Sequence, residues 1–395
     1  MKARSITLLV LAEIAAMTLW FISSATLADQ QGDVVVSAFR SAMLVSGVSA
    51  GFVFGALFVA MLGIADRYDP RRVFACAAVM AAVANALVVL IPPGSYLSVA
   101  LRVFIGFCLA GVYPVGMKIM VGWGKQDRGW LVGLLVGGLT LGSATPHLLS
   151  WLGGSDWQQT TLVASGMSLL AAVLVMQTKL GPYHAVQGRI NPGVFSIAWT
   201  DIRMRRAFLG YLGHVWELYA FWAWVAPAAA ASYAMQMDPE QAMEWSKLTA
   251  FLAIGVGALL CPFAGRVADR LGKAELTILA MAASGASALL AAAVFGGPPL
   301  LVAAVFLIWG LSIIPDSAQF SALIADYSLP ELTGSLMSLQ TALGFALTIV
   351  TVQLTPLVAA WLGWPALFCL LSIGPFVGIV SMWTLTRRHS AQALS

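Results

Sequence analysis

Apolar runs of about twenty residues recur along the whole chain, and the connections between them are short and hold most of its charge. A helix needs about 20 such residues to cross a bilayer. In lipid every backbone N–H and C=O must find a partner within the protein, so only helices and closed barrels span it. Runs of this length are too long for strands and predict helices near 6–27, 38–63, 73–91, 97–121, 130–152, 160–179, 206–230, 247–264, 275–295, 300–324, 334–359 and 365–385. The expected fold class is therefore all-α integral membrane, with twelve transmembrane helices. Composition agrees, with 60% apolar and 10% charged residues, against roughly a quarter charged in soluble domains.

Met1-Lys2-Ala3-Arg4 followed by an apolar run has the outline of a secretory signal, but the run is long and carries Glu13 in its middle, as a first span does. Cys76, Cys108, Cys261 and Cys369 lie within or at the edge of apolar runs without metal-ligand spacing, so they are expected as small buried hydrophobes. If the N-terminus is inside, the inner connections collect Lys2, Arg4, Arg67, Arg71, Arg72, Lys125, Arg128, Lys179, Arg189, Arg203, Arg205, Arg206, Arg266, Arg270, Lys273, Arg387 and Arg388. The outer ones keep essentially Lys247, with Arg40 near an outer helix end. That bias predicts both termini in the cytoplasm and a multi-pass protein of the cell inner membrane. The membrane also accounts for the net charge of +4, so no nucleic-acid partner is expected.

Gly265-Arg266-Val267-Ala268-Asp269-Arg270-Leu271-Gly272-Lys273 sits between two apolar runs and is expected as a loop in water. A weaker copy, Asp66-Arg67-Tyr68-Asp69-Pro70-Arg71-Arg72, occurs about half a chain earlier, as a duplicated six-helix unit predicts. The division expected is 1–180 for one six-helix bundle, 181–205 for a cytoplasmic linker containing Asn191-Pro192-Gly193, and 206–395 for the second bundle. Asp238-Pro239-Glu240 is expected to start a separate helical turn before the eighth span.

The run from Gly265 to Lys273 resembles the signature that the major facilitator superfamily carries between its second and third helices and between its eighth and ninth. The first copy departs from it, with Leu62 in place of the first glycine and Asp69-Pro70 in place of the second. The resemblance covers the chain and implies a secondary transporter of two pseudo-symmetric six-helix bundles, whose helices one, four, seven and ten line a central cavity. It assigns conformational-lock loops to Asp66, Arg67, Arg71, Gly265, Asp269, Arg270, Gly272 and Lys273. Arg102, with Gly106 four residues on, is similar to the superfamily's helix-four arginine, implicated in proton coupling.

Glu13, Arg102, Lys118, Glu217 and Asp316 all fall inside predicted spans. At roughly 2.5–3.5 kcal/mol each near the bilayer centre, they must pair, face a wet cavity or snorkel. On helix seven His214, Glu217, Phe221 and Trp224 share a face at helical spacing, placing an acid and an imidazole beside aromatic surface. A site for a proton and a small solute and a structural pair both fit that pattern. Helix one offers Glu13, Met17, Trp20 and Ser24, and helix ten Trp309, Ser312, Asp316 and Gln319, with Pro315 placed to break the helix. On helix four Tyr113 shares the Arg102 face, while Lys118 is close enough to the inner end to snorkel. Gly138, Gly142 and Pro146 make a small-residue seam for close helix packing, beside a polar face of Thr140, Ser143, His147 and Ser150.

No phosphate-binding loop, HExxH or GxSxG motif is present, so neither an enzyme nor a cofactor is expected. The function expected is proton-coupled secondary transport by alternating access, by symport or antiport, in a protein working as a monomer. Arg102, Arg40 and Lys118 lean the substrate toward a small organic anion. Glu13, Glu217, Asp316 and the tryptophans keep open the efflux of amphipathic drug-like compounds, and a non-transporting sensor or assembly protein is the alternative from another class.

Overall fold

The structure is a computed structural model that describes residues 1–33, 36–62, 64–124, 127–153, 156–184 and 194–393. Its spans are α1 (Lys2–Met17 and Ile22–Asp33), α2 (Ala38–Leu62), α3 (Pro70–Leu87), α4 (Tyr96–Leu109 and Tyr113–Val121), α5 (Arg128–Leu152), α6 (Trp157–Met176), α7 (Ile202–Tyr233), α8 (Pro239–Leu271), α9 (Lys273–Val294) and α10 (Pro299–Ile313 and Ser317–Tyr327). A last continuous stretch begins at Pro330 and turns at Gly363, whose φ of 83° is left-handed. It divides there into α11 (330–362) and α12 (364–393). Length and apolarity alone mark ten spans among the described residues. The expected twelve follow when α7, richer in polar residues, is included and the final stretch is divided at Gly363.

Side chains set where these helices start. Asp69, Ser95, Asp156, Asp201 and Asp238 each occupy an N-cap and accept a backbone N–H from the first turn, satisfying donors that have no intrahelical partner. Proline follows Asp69 and Asp238 directly, where its fixed φ suits the first helical position. Asp238 thereby opens α8 itself, so the separate turn expected at 238–240 is continuous with the span, and Lys247 lies buried within α8 rather than in an outer loop. The stretch expected as a loop at 265–273 is helical up to Leu271 and turns only at Gly272, whose φ is 100°. Of the linker at 181–205, residues 185–193 lie outside the described residues, Val194–Thr200 is a short helix, and α7 starts at Ile202.

Three spans break in mid-membrane. Pro114 lacks an N–H and crowds the carbonyl four residues back, and α4 opens there at 110–112; Pro315 does the same in α10 at 314–316, where the sequence predicts it. In α1 the break at 18–21 has neither Gly nor Pro, and the Thr18 hydroxyl turns back to the Ala15 carbonyl.

Duplication is visible in the packing. In the first half Gly51 of α2 and Gly106 of α4 approach so closely that a Cβ on either would land on the partner helix's backbone, at Val103 and Val48. In the second half Gly257 of α8 and Gly310 of α10 repeat the crossing, against Gly310 and Ala253. The two crossings are about half a chain apart, like Asp66 and Asp269. The predicted Gly138 and Gly142 seam packs on α1, with a Cβ at Gly142 falling 2.6 Å from the Ile14 carbonyl. A second stripe, Gly133 and Gly137, meets Cys261 and Ala258 and joins α5 to α8 across the halves.

Candidate functional site

The halves meet in mid-membrane through aromatic rings. Trp20 of α1 lies 5.0 Å from Phe52 of α2 and 5.3 Å from Phe345 of α11, and Phe345 is 4.5 Å from Phe52 and 5.0 Å from Tyr219 of α7. Phe21 meets Trp222 at 5.9 Å. All six are buried, so they form a plug of interlocked side chains in the arrangement aromatic pairs favour. Of the predicted site residues only Trp20 belongs to it. Tyr219 and Trp222 make the cross-half face of α7, and Phe52 and Phe345 lie on helices outside the expected cavity set. Their aromatic character is legible in the sequence, but their convergence depends on how the halves dock.

The predicted face of α7 turns instead into its own half. Glu217 is buried and accepts from the Trp309 indole N–H of α10 at 2.6 Å and from the Ser284 hydroxyl of α9 at 2.9 Å. Phe221 packs on Trp309 with centroids 4.4 Å apart, and the Trp224 indole donates to the Val352 carbonyl at 3.1 Å. Phe221, Trp224, Phe306, Trp309 and Phe368 line a small apolar crevice inside this half. His214 Nδ1 stands 3.0 Å from Asp316 Oδ1, a close electrostatic contact outside hydrogen-bond alignment, and neither that Oδ1 nor the other ring nitrogen, His214 Nε2, has a hydrogen-bond partner among the described residues. Asp316 sits at the α10 break and its carbonyl starts the next helical segment through the Gln319 N–H. Gln319 is buried nearby in that segment.

Glu13 differs from the other acids. It is fully buried in α1, and neither carboxylate oxygen has a hydrogen-bond partner among the described residues. Its Oε2 lies over Gly116 of α4, 2.8 Å from where a Cβ would stand, with Phe74 and Leu135 around the same spot. Tyr113 of α4 is half-buried one turn before Gly116, on the terminal side of the plug, and Tyr211 of α7 is half-buried with its ring 6.2 Å from that of His214.

Arg102 is directed elsewhere. Its Nη1 donates to Asn85 Oδ1 of α3 at 2.9 Å, and Asn85 in turn donates to the Thr161 carbonyl and Ser165 hydroxyl of α6. Its Nε and Nη2 are buried without hydrogen-bond partners among the described residues. Arg102 and Glu217 therefore sit in different halves with separate partners. Arg40 stacks over Tyr96 at the face opposite the termini, 4.9 Å from the ring centroid.

On the terminal face the ion pairs each bind within one half, while Arg266 of α8 crosses to lie over the Trp130 ring of α5, 5.9 Å from its centroid. Arg71 pairs with Asp69 at 2.6 Å and donates to the Thr178 carbonyl at the end of α6, and that guanidinium holds the Asp69 carboxyl below the usual carboxylate range. Lys273 pairs with Asp326 at the end of α10. Arg67 and Arg270 are exposed, and a Cβ on Gly265 would stand 3.4 Å from the Gly129 backbone of α5. The side chains of Asp66 and Asp269 lie outside the described residues.

Comparison with known proteins adds three findings. A family model described as Major Facilitator Superfamily matches residues 7–350. No curated protein matches the chain in sequence. The fold is similar to a crystal structure of a mutant of the nucleoside transporter NupG, with a TM-score of 0.72 over 96% of this chain and 99% of that one, at 12% identity.

Proposed function

Because the chain belongs to the major facilitator superfamily and is a multi-pass secondary transporter rather than an enzyme, we propose that it moves a small organic solute by alternating access in a proton-coupled cycle. The site proposed lies on the terminal side of the aromatic plug, among Glu13, Tyr113, Tyr211 and Asp316, and opens to the cytoplasm, where the basic loops put both termini.

The observation that carries proton coupling is the buried, unpartnered carboxyl of Glu13. An isolated carboxylate in such surroundings is far more costly than the neutral acid, so the residue is suited to hold a proton in one orientation of the halves and release it in another. The sequence leaned on Arg102 for an organic anion, but its bond to Asn85 removes that cation from the proposed site. Aromatic rings supplied from α1, α4, α7 and α11 support instead a solute with a planar ring, which stacks well on such surfaces. A nucleoside, the solute in the name of NupG, has both a ring and hydroxyls and is the first probe to use. Efflux of amphipathic compounds remains the second reading, favoured by the apolar crevice around Phe221 and Trp309.

A thermal-shift screen of the purified protein against nucleosides, small organic acids and amphipathic cations tests this, since a ligand at a hundred times its Kd stabilises by about 2.7 kcal/mol. The hit is then added to vesicles containing the protein and a trapped pH dye. Solute-dependent movement of protons is expected, and solute flux with no proton movement would overturn the coupling.

A further inference from the structure

The polar contacts between the halves are unevenly distributed. On the terminal face the ion pairs Asp69–Arg71, Lys2–Asp127 and Lys273–Asp326 each join residues of one half. From mid-membrane to the opposite face the contacts cross: the Ser24 hydroxyl of α1 donates to the Ala223 carbonyl of α7, and the Gln353 amide of α11 donates to Ser46 of α2 at 2.8 Å. Farthest toward that face, Lys247 Nζ of α8 lies 2.9 Å from both carboxylate oxygens of Asp29 in α1, and Ser150 of α5 donates to the same carboxylate at 3.1 Å. Both charged side chains are nearly buried, at 7% and 6% exposure. The α5–α8 seam is the exception to this unevenness, since it runs to the terminal face, where Gly265 faces Gly129 and Arg266 lies over the Trp130 ring 5.9 Å from its centroid.

We propose that Asp29 and Lys247 form an ionic clasp that holds the face opposite the termini shut, and that separates when the transporter opens there. An ion pair suits this task better than apolar packing. Buried and bidentate, it fixes how the halves meet, and loss of either partner strands an uncompensated charge in the closed state. Once the halves part, both charges regain hydration, so the open state carries little electrostatic penalty. Ser150 keeps the carboxylate oriented toward Lys247 from α5, within the same half as Asp29. This inference rests on the alternating-access reading.

The test places a cysteine at Ala226, buried one turn beyond Ala223 on α7, in full-length protein whose exposed Cys76 and Cys369 are replaced by serine. Labelling by a membrane-impermeant maleimide added at the face opposite the termini should rise at least tenfold in Asp29→Asn and in Lys247→Met. In the exchanged pair Asp29→Lys with Lys247→Asp it should return to within twofold of the parent. Unchanged labelling in both single variants overturns the clasp, as does an exchanged pair that stays as reactive as the singles. If a single variant fails to fold, the exchanged pair still decides, since a folded and slowly labelled exchange requires the charge complementarity. A second cysteine at Ser317 in α10, probed from the terminal face, should become less reactive as Ala226 becomes more so. A rise at Ala226 with no fall at Ser317 would support the clasp and overturn alternating access.

Discussion

Trp309 donates its indole N–H to Glu217 over 2.6 Å, fastening α10 to α7 inside the second half at the level where α7 also carries the aromatic plug. With Ser284 on the other oxygen, the acid joins three helices. A carboxylate so held is suited to keeping its half rigid while the halves move against each other.

Replacing Trp309 with Phe removes one donor and leaves a buried oxygen unbonded, which costs about 1–3 kcal/mol. The melting temperature should fall accordingly. Glu217→Gln keeps an acceptor for the indole and should lose less. Equal losses in the two variants would show that the indole bond is not what holds this acid.

The second prediction concerns the duplicated crossings. Gly51→Ala and Gly310→Ala each place a methyl on a partner backbone and should destabilise by about 3 kcal/mol, the upper end for overpacking. Gly166 has nothing within 4 Å of its would-be Cβ. Gly166→Ala should be neutral or stabilise by about 0.5–1 kcal/mol, the usual cost of a helical glycine. Thermal unfolding in detergent decides, and a Gly51→Ala protein as stable as Gly166→Ala would refute the close approach.

These crossings show how much was legible in advance. Span lengths, the α10 break at Pro315 and the half-chain repeat are local or periodic properties, and residue spacing carries them. The orientation of α7 is not local. Its apolar faces are nearly equivalent in composition, so spacing groups His214, Glu217, Phe221 and Trp224 correctly but leaves open whether they look across the halves or into their own. The Asp29–Lys247 pair was hidden for a related reason, because residue spacing puts Asp29 just beyond the span expected at 6–27 and Lys247 at the first residue of the one expected at 247–264, where solvation is the ordinary outcome.

At the terminal face, Asp69 caps α3 through the Arg71 N–H and pairs with its guanidinium. Asp69→Ala should cost about 1 kcal/mol, as loss of a cap does. The folded carboxyl titrates below its ordinary value because of Arg71. Its contribution is therefore complete above the unfolded carboxylate range and is lost as pH falls through the lower, folded value. Melting temperatures of parent and variant should differ at pH 7 and converge in strong acid, and a difference that grew on acidification would contradict the pairing.

The last prediction separates Glu13 from Glu217. Glu13 makes no hydrogen bond that glutamine would forfeit, and its surroundings are Gly116, Phe74 and Leu135, which accept a neutral group of the same shape more readily than an ionised one. Glu13→Gln should therefore leave the melting temperature unchanged or raise it. If Glu13 carries the coupling proton, the same variant loses solute accumulation driven by a pH gradient yet keeps exchange of the solute at equal concentrations on both sides, because exchange needs only the solute-loaded states. The measurement is paired uptake and exchange in vesicles, using the solute identified by thermal shift, for the Glu13 and Glu217 variants side by side. Loss of accumulation in Glu217→Gln with full retention in Glu13→Gln would move the proton site to the second half and leave Glu13 as a buried acid without a transport role.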